Sequence, residues 1–257
     1  MIDEQRLSIE VGRLLNRFYQ KRIDALKGLN LTKLLNKNPY LYRSMGVNDA
    51  ANWLQQVLVA FVSSSDETIF GNDFFEKLAV WSAREADEFP DGKRSVNDAS
   101  GAGVDISVEG ATYYQAISVK SGKNIFNSQS DKGQAAEFSQ LQARMKKLGK
   151  QFLPVIGYGY GRKAATKNSN VDKVAGQKFW KLLTGEDDFY LKISRAIGNH
   201  SGEHFVTYQV EFDNTKNRLL RELLIDYSDQ NGALNWEKIV EFNSAAEKPK
   251  KAKPISP

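Results

Sequence analysis

GVDISVEGATYYQAISVKSGK, residues 103–123, holds two runs of β-branched and aromatic residues separated by Glu109-Gly110-Ala111. The composition predicts two strands joined by a tight turn. A two-residue loop at Gly110-Ala111, glycine first, suits a type II′ hairpin. That register sets Asp105 opposite Ala116. Period-two alternation then turns Ala116, Ser118 and Lys120 to the face of Asp105. Val104, Ile106, Val108, Ile117 and Val119 form an apolar opposite face. A carboxylate and an ammonium are so brought side by side on neighbouring strands. Two readings are open: a cation-and-phosphate site in a concavity, or ordinary solvent-facing charges on a hairpin.

Upstream, residues 5–27 carry Leu7, Val11, Leu14, Leu15, Phe18, Ile23 and Leu26 at helical spacing. Pro39 in the Lys37–Tyr40 cluster steers the residue before it out of the α region and ends any helix there. Residues 48–62 predict a second helix with Asn48 or Asp49 as N-cap. The polar SSSDET is expected to break it before a third helix, NDFFEKLAVWSARE, capped by Asn72 or Asp73. Downstream of the hairpin, Asp131 and Gln134 stand at capping-box spacing before a helix with lysines at its C-terminal end. FLPVIGYGYG reads as a buried strand, GRKAATKNSN as a basic loop, and AGQKFWKLLTG and EDDFYLKISRAIG as helices. HFVTYQVEF reads as a strand and TKNRLLRELLIDYS as a last helix. The order predicts an α/β (α+β mixed) fold: a central mixed sheet flanked by helices, with an N-terminal helical region. One domain is expected over 1–245, with N-terminal helices at 1–87, a core at about 100–215, and a disordered basic tail at 246–257.

At 257 residues the chain can bury one substantial core. Its lack of cysteine excludes disulfides, thiolate zinc sites and a Cys nucleophile. Of its two histidines, His200 and His204, the Ser201-Gly202 break argues against a zinc helix, and no strained serine turn supports a triad. The longest apolar runs fall short of a membrane span, and the acid-bearing amphipathic start does not resemble a signal peptide, so a soluble, cytoplasmic protein is expected. A net charge of +5 favours a polyanionic partner, though part of it lies in the tail.

Ser118 stands two residues before Lys120, on the same face, where a second metal-binding acid would be placed. Serine cannot supply that charge, so another carboxylate is needed. Glu137 shares a helical stripe with Gln134, Phe138, Leu141, Met145 and Leu148, and so is a metal-ligand candidate or a helix-surface glutamate. Glu76 sits among Phe74, Phe75, Leu78, Ala79 and Trp81. It is either partnered there, as a catalytic or water-bridged ligand would be, or exposed at an edge. Gly157-Tyr158-Gly159-Tyr160-Gly161-Arg162-Lys163, continued by Lys167, sets bases and aromatics after a strand, where they suit phosphate or guanine contacts. No helix follows it directly, which argues against a dinucleotide loop. Phe179-Trp180 reads as core.

KNPYLYR at 37–43, SSSDETIFG before the Glu76 helix, the GVDIS hairpin ending in SVKSG, and YGYGRK with GQKFWKLLTG together resemble type II restriction endonucleases of the PD-(D/E)xK superfamily, PmeII-type group. The resemblance spans roughly residues 37–190. It implies a magnesium-dependent homodimer that cuts double-stranded DNA at a short, palindromic site in a prokaryotic cytoplasm, with a cognate DNA methyltransferase as functional partner. It also implies Asp105 as first metal-binding acid, Lys120 as catalytic lysine, and a glutamate from the next helix, here Glu137, where serine replaces the usual acid. Ser118 and Glu76 join them as catalytic candidates, and Lys123, Arg162, Lys163 and Lys167 as DNA-binding ones. Two departures stand out: Val104 replaces the proline before Asp105, and Ser118 replaces an acid. Two other readings stay open, a DNA-binding protein on this fold that has lost its chemistry and a repair or structure-selective nuclease.

Overall fold

The computed structural model describes residues 1–86, 94–101, 103–121, 128–163, 170–200 and 202–246. In chain order the elements are α1 (Glu4–Lys27), α2 (Leu31–Leu35), α3 (Pro39–Ser44), α4 (Ala50–Phe70), a π-helix (Gly71–Phe75), α5 (Glu76–Glu85), β1 (Ser95–Gly101), β2 (Val104–Glu109) and β3 (Tyr113–Lys120). They continue as α6 (Ser128–Lys147), β4 (Gln151–Tyr158), β5 (Asp172–Ala175), α7 (Gln177–Thr184), α8 (Phe189–His200), α9 (Phe205–Tyr227) and α10 (Trp236–Ser244). The chain divides into two compact units, one of 1–19 with 67–203 and one of 20–66 with 204–257. The division falls within α1 and α4.

The first unit holds the sheet, in order β1-β2-β3-β4-β5. The β1-β2 and β2-β3 pairs are antiparallel, and β3-β4 and β4-β5 are parallel. This is the expected mixed sheet, and helices cover both faces. On one, Leu7, Val11 and Leu14 of α1, Leu78 of α5, Phe179 and Trp180 of α7 and Ile193 of α8 close over Ile106, Val108, Ile117 and Val119. On the other, Phe138, Leu141 and Met145 of α6 close over Tyr114, Ala116 and Ile156. The crossover α6 between β3 and β4 meets the requirement that parallel neighbours be joined by a long connection.

The second unit has its own core, in which Leu26, Leu34, Trp53, Leu54 and Leu58 pack with Leu219, Leu223 and Ile239. Asn30, Asn38 and Asn235 cap α2, α3 and α10 by accepting from main-chain N–H groups. Asp49 does the same for α4, accepting from Asn52 N at 2.8 Å. No helix among the described residues is long and apolar enough to cross a membrane.

Four expectations need correction. SSSDET does not end a helix: α4 runs through it into the π-helix and α5. There Asp66 takes a two-pronged guanidinium contact from Arg22 at 2.7 Å per bond, which anchors the polar turn as helix. HFVTYQVEF is not a strand but the start of α9. Tyr208, Phe212, Thr215, Leu219 and Leu223 recur at spacings of 4, 3, 4 and 4, and this helical stripe, turned to the second core, overrides β-propensity. The helix expected from Asp131 begins at Ser128, and Gln134 turns away from capping to donate to Gly103 O at 2.8 Å. The hairpin turn, finally, is longer than two residues. Glu109 pairs with Tyr114, so Gly110 to Tyr113 close it, with Gly110 N donating to Tyr113 O at 3.1 Å. Gly110 does not take the positive φ that a type II′ turn needs, and a Cβ built there would meet the Tyr113 ring.

Candidate active site

The longer turn moves the register by two. Ser107 faces Ala116, which carries Asp105 to Ser118 rather than to Ala116. A shift of two leaves each side chain on its own face, so the expected grouping of Asp105, Ser118 and Lys120 survives the error.

The paired ladder between β2 and β3 stops at Ile106 and Ile117. Beyond it the Asp105 carboxylate stands in for main chain: its Oδ2 accepts the Val119 N–H at 2.7 Å and the Ser118 hydroxyl at 3.4 Å. β2 therefore peels off β3 at this residue. Val104 packs with the α6 cluster instead of with Ile106 and Val108, a correction to strict alternation. Gly103, at φ 72°, and the irregular register between Asp98 and Gly101 make the turn that redirects the strand. Ser118 is fully buried and its hydroxyl is spent on Asp105. It steers the carboxylate.

Glu137 comes to the same place from α6. A Cβ built at Gly103 would fall 1.6 Å from Glu137 Oε2, so only glycine leaves room for the carboxylate there. Gln134, one turn earlier on the helix and buried, fastens the loop through Gly103 O. Phe138, Leu141 and Met145 are buried as the stripe requires, while Leu148, beyond the end of α6, is exposed.

Lys120 ends β3, half-buried, and its carbonyl accepts the Gly159 N–H at 2.8 Å, which ties the site to the end of β4. The π-helix seals this junction. Gly71 packs on Ser121, with a built Cβ 3.1 Å from its hydroxyl, and Phe75 packs on Gly159. Single-turn π-helices recur at functional sites, and Gly71 amid an apolar helical run is the sequence trace of this one. Glu76 follows it, with Lys77 Nζ 3.0 Å from its Oε1, and this pairing answers the burial of its carboxylate.

Arg162 is exposed and Lys163 lies 5.1 Å from the Tyr158 ring centroid. Lys123 and Lys167 lie outside the described residues. Phe179 and Trp180 are core, and the Trp180 indole N–H donates to Gly159 O at 2.8 Å. His200 is engaged with α1, 3.0 Å from Ser8 O and against Gly12.

Among the described residues no three His, Cys, Asp or Glu side chains gather as a metal cluster. Asp105 lies two residues along the chain from Gly103, which the Glu137 carboxylate borders, so two carboxylates flank this turn as candidate donors. That suits magnesium, which keeps several waters and needs only one or two carboxylates.

A family model described as Type II restriction endonuclease EcoO109I matches residues 5–204, a span that takes in Glu76, Asp105, Lys120, Glu137, Arg162 and Lys163. It bears out the restriction-endonuclease resemblance and names a different group from the PmeII type. No protein of curated function matches the chain.

Proposed function

The chain belongs to the type II restriction endonuclease EcoO109I family, and we propose that it hydrolyses phosphodiester bonds of double-stranded DNA at a short, specific sequence with a PD-(D/E)xK-type, magnesium-dependent site. The observation that carries this reading is the place where β2 leaves β3. Asp105, steered by the Val119 N–H and the Ser118 hydroxyl, shares a strand face with Lys120 and stands two residues from Gly103, which the Glu137 carboxylate borders.

Asp105 and Glu137 would hold the magnesium ion, with Ser118 filling the usual acid's position as an orienting hydroxyl. When bound, the ion polarises the scissile phosphate and favours hydroxide at neutral pH. Both described bonds to Asp105 fall on Oδ2, which leaves Oδ1 for the cation. The Lys120 ammonium orients the attacking water and offsets charge on the phosphate as a P–O bond to the water oxygen forms, the ester bond to the leaving sugar oxygen breaks, and that oxygen departs as a hydroxyl. Glu76, paired to Lys77, acts at most through water. Arg162 and Lys163 grip the duplex; the Arg fork also suits a guanine edge. Two copies acting on a palindrome would cut both strands, in a prokaryotic cytoplasm where a DNA methyltransferase protects the host's sites.

Incubating a plasmid with the chain, with and without magnesium, tests this. Discrete fragments that need the ion and vanish in Lys120→Ala support the reading. Retardation without cutting would favour a DNA-binding protein that has lost its chemistry, and products without a fixed pattern a structure-selective nuclease.

A further inference from the structure

Beside this site, in the same unit, lies a cavity of about 710 Å³ that the cleavage chemistry does not use. Its size is within the roughly 300–1,000 Å³ typical of small-ligand sites. One wall is aromatic: Phe75 stands 6.1 Å from Tyr160 and 6.3 Å from Trp180, centroid to centroid, at interplanar angles of 35° and 40°. Tyr190 of α8 contributes a further ring. Tyr160 and Tyr190 are 49% and 38% exposed, so much of their surface faces water rather than core. Arg162, Lys163 and Lys178 also line the cavity, and none of its described lining residues is a carboxylate. α7 begins here at Gly176, and no side chain caps its first turn. Rings together with cations, and no acid among the described lining, match a planar base joined to a phosphate.

The cavity is also wired to the cleavage site. Gly159, in its lining, donates to the Lys120 carbonyl, and Phe75 belongs to the π-helix whose Gly71 seats Ser121.

We propose that this cavity takes one nucleotide of the bound DNA, swung out of the base stack, with its base against Phe75 and Tyr160 and its phosphate toward Arg162, Lys163 and Lys178. The inference rests on the DNA-cutting reading above. Extrusion opens the stack at a position fixed relative to Lys120, so occupancy of the cavity would help set where the scissile phosphate lies.

The test uses the full chain without metal and, as probe, 2-aminopurine deoxyribonucleoside 5′-monophosphate, whose fluorescence falls on ring stacking. Quenching on titration is expected, with affinity about 5- to 150-fold weaker in Tyr160→Ala, the range of one base–aromatic contact. Lys178→Glu should weaken it too and reduce its salt dependence. Adding a duplex that carries the mapped cleavage site should displace the probe. No quenching, or quenching that both variants leave intact, overturns the site; a probe that stays bound beside the duplex overturns its DNA origin. Plasmid cleavage is scored on the same preparation after magnesium is added. Cutting without probe binding sinks the cavity alone, whereas probe binding without cutting sinks the nuclease reading on which extrusion depends.

Discussion

Two carboxylates of the sheet-bearing unit are partnered by opposite means. Glu186 is nearly buried and closed: Lys192 Nζ lies 2.6 Å from its Oε2, and the Ile2 N–H donates to its Oε1 at 2.5 Å. The hydrogen bond from Lys192 to Glu186 raises the lysine pKa above its ordinary 10.5 against the opposing effect of burial. Asp105, half-buried, takes its described bonds from a main-chain N–H and a hydroxyl. Neutral donors orient a carboxylate without an opposite charge to answer it, which suits the cation-holding role proposed for Asp105. The acid that is salt-bridged inside the fold is already answered; the one that the fold merely aims is the one proposed for chemistry.

Removing one partner of the closed pair should have the largest effect. Lys192→Ala strands Glu186 and should cost about 3–5 kcal/mol, whereas Glu186→Leu with Lys192→Met should be near neutral or stabilising. Urea unfolding measures both, and a small loss for the single variant would erase the contrast. At the aimed acid the loss should be catalytic. Asp105→Asn and Lys120→Ala should each lower cutting by at least about 10²–10³-fold, with DNA binding and urea midpoint little changed. Unfolding of Asp105→Asn would make Asp105 another closed acid.

Gly103→Ala probes the hinge between them. Forcing a side chain into a left-handed backbone should cost about 1–2 kcal/mol, and the displaced Glu137 should slow cutting as well. Full activity in a destabilised Gly103→Ala protein would remove Glu137 from the site. The pH dependence of the closed pair is smaller and has a fixed sign. A lysine whose pKa rises on folding contributes in full below its unfolded value of 10.5, and the contribution fades as pH climbs through the raised value. Going from pH 8 to pH 11, urea unfolding should thus show wild type losing stability relative to the Glu186→Leu, Lys192→Met double variant, which lacks the titrating lysine. Smallest of all, Lys163→Ala should reduce the salt slope of DNA binding by ~1 in log–log terms, equally across sequences.

That Asp105, Ser118 and Lys120 share a strand face was legible in the sequence because strand alternation tolerates an even slip. The turn after Glu109 was misread by two residues, yet Asp105, Ser118 and Lys120 kept one face. Glu137 was legible from its stripe on α6, since Phe138, Leu141 and Met145 fix which side of that helix looks inward. Long helices were less legible. Val206, Tyr208 and Val210 have strand-forming side chains, and only the contacts of Tyr208 and Phe212 with the second core make the segment helical. The polar Ser63–Thr68 run lacked its decisive partner, Arg22, which lies 44 residues away. The π-helix and β5 were missed for a related reason: each is short, and its identity rests on what it packs against.

The interleaving of the second unit bears on how the chain is made. Leu54, Val57 and Leu58 leave the ribosome early, but their partners Leu219, Leu223 and Ile239 follow only after residues 67–203 have been synthesised. At ~5–20 residues per second the wait is roughly 7–27 s. Throughout it the apolar side of a nascent α4 lacks its eventual cover, so prematurely terminated chains should be the ones that chaperones capture.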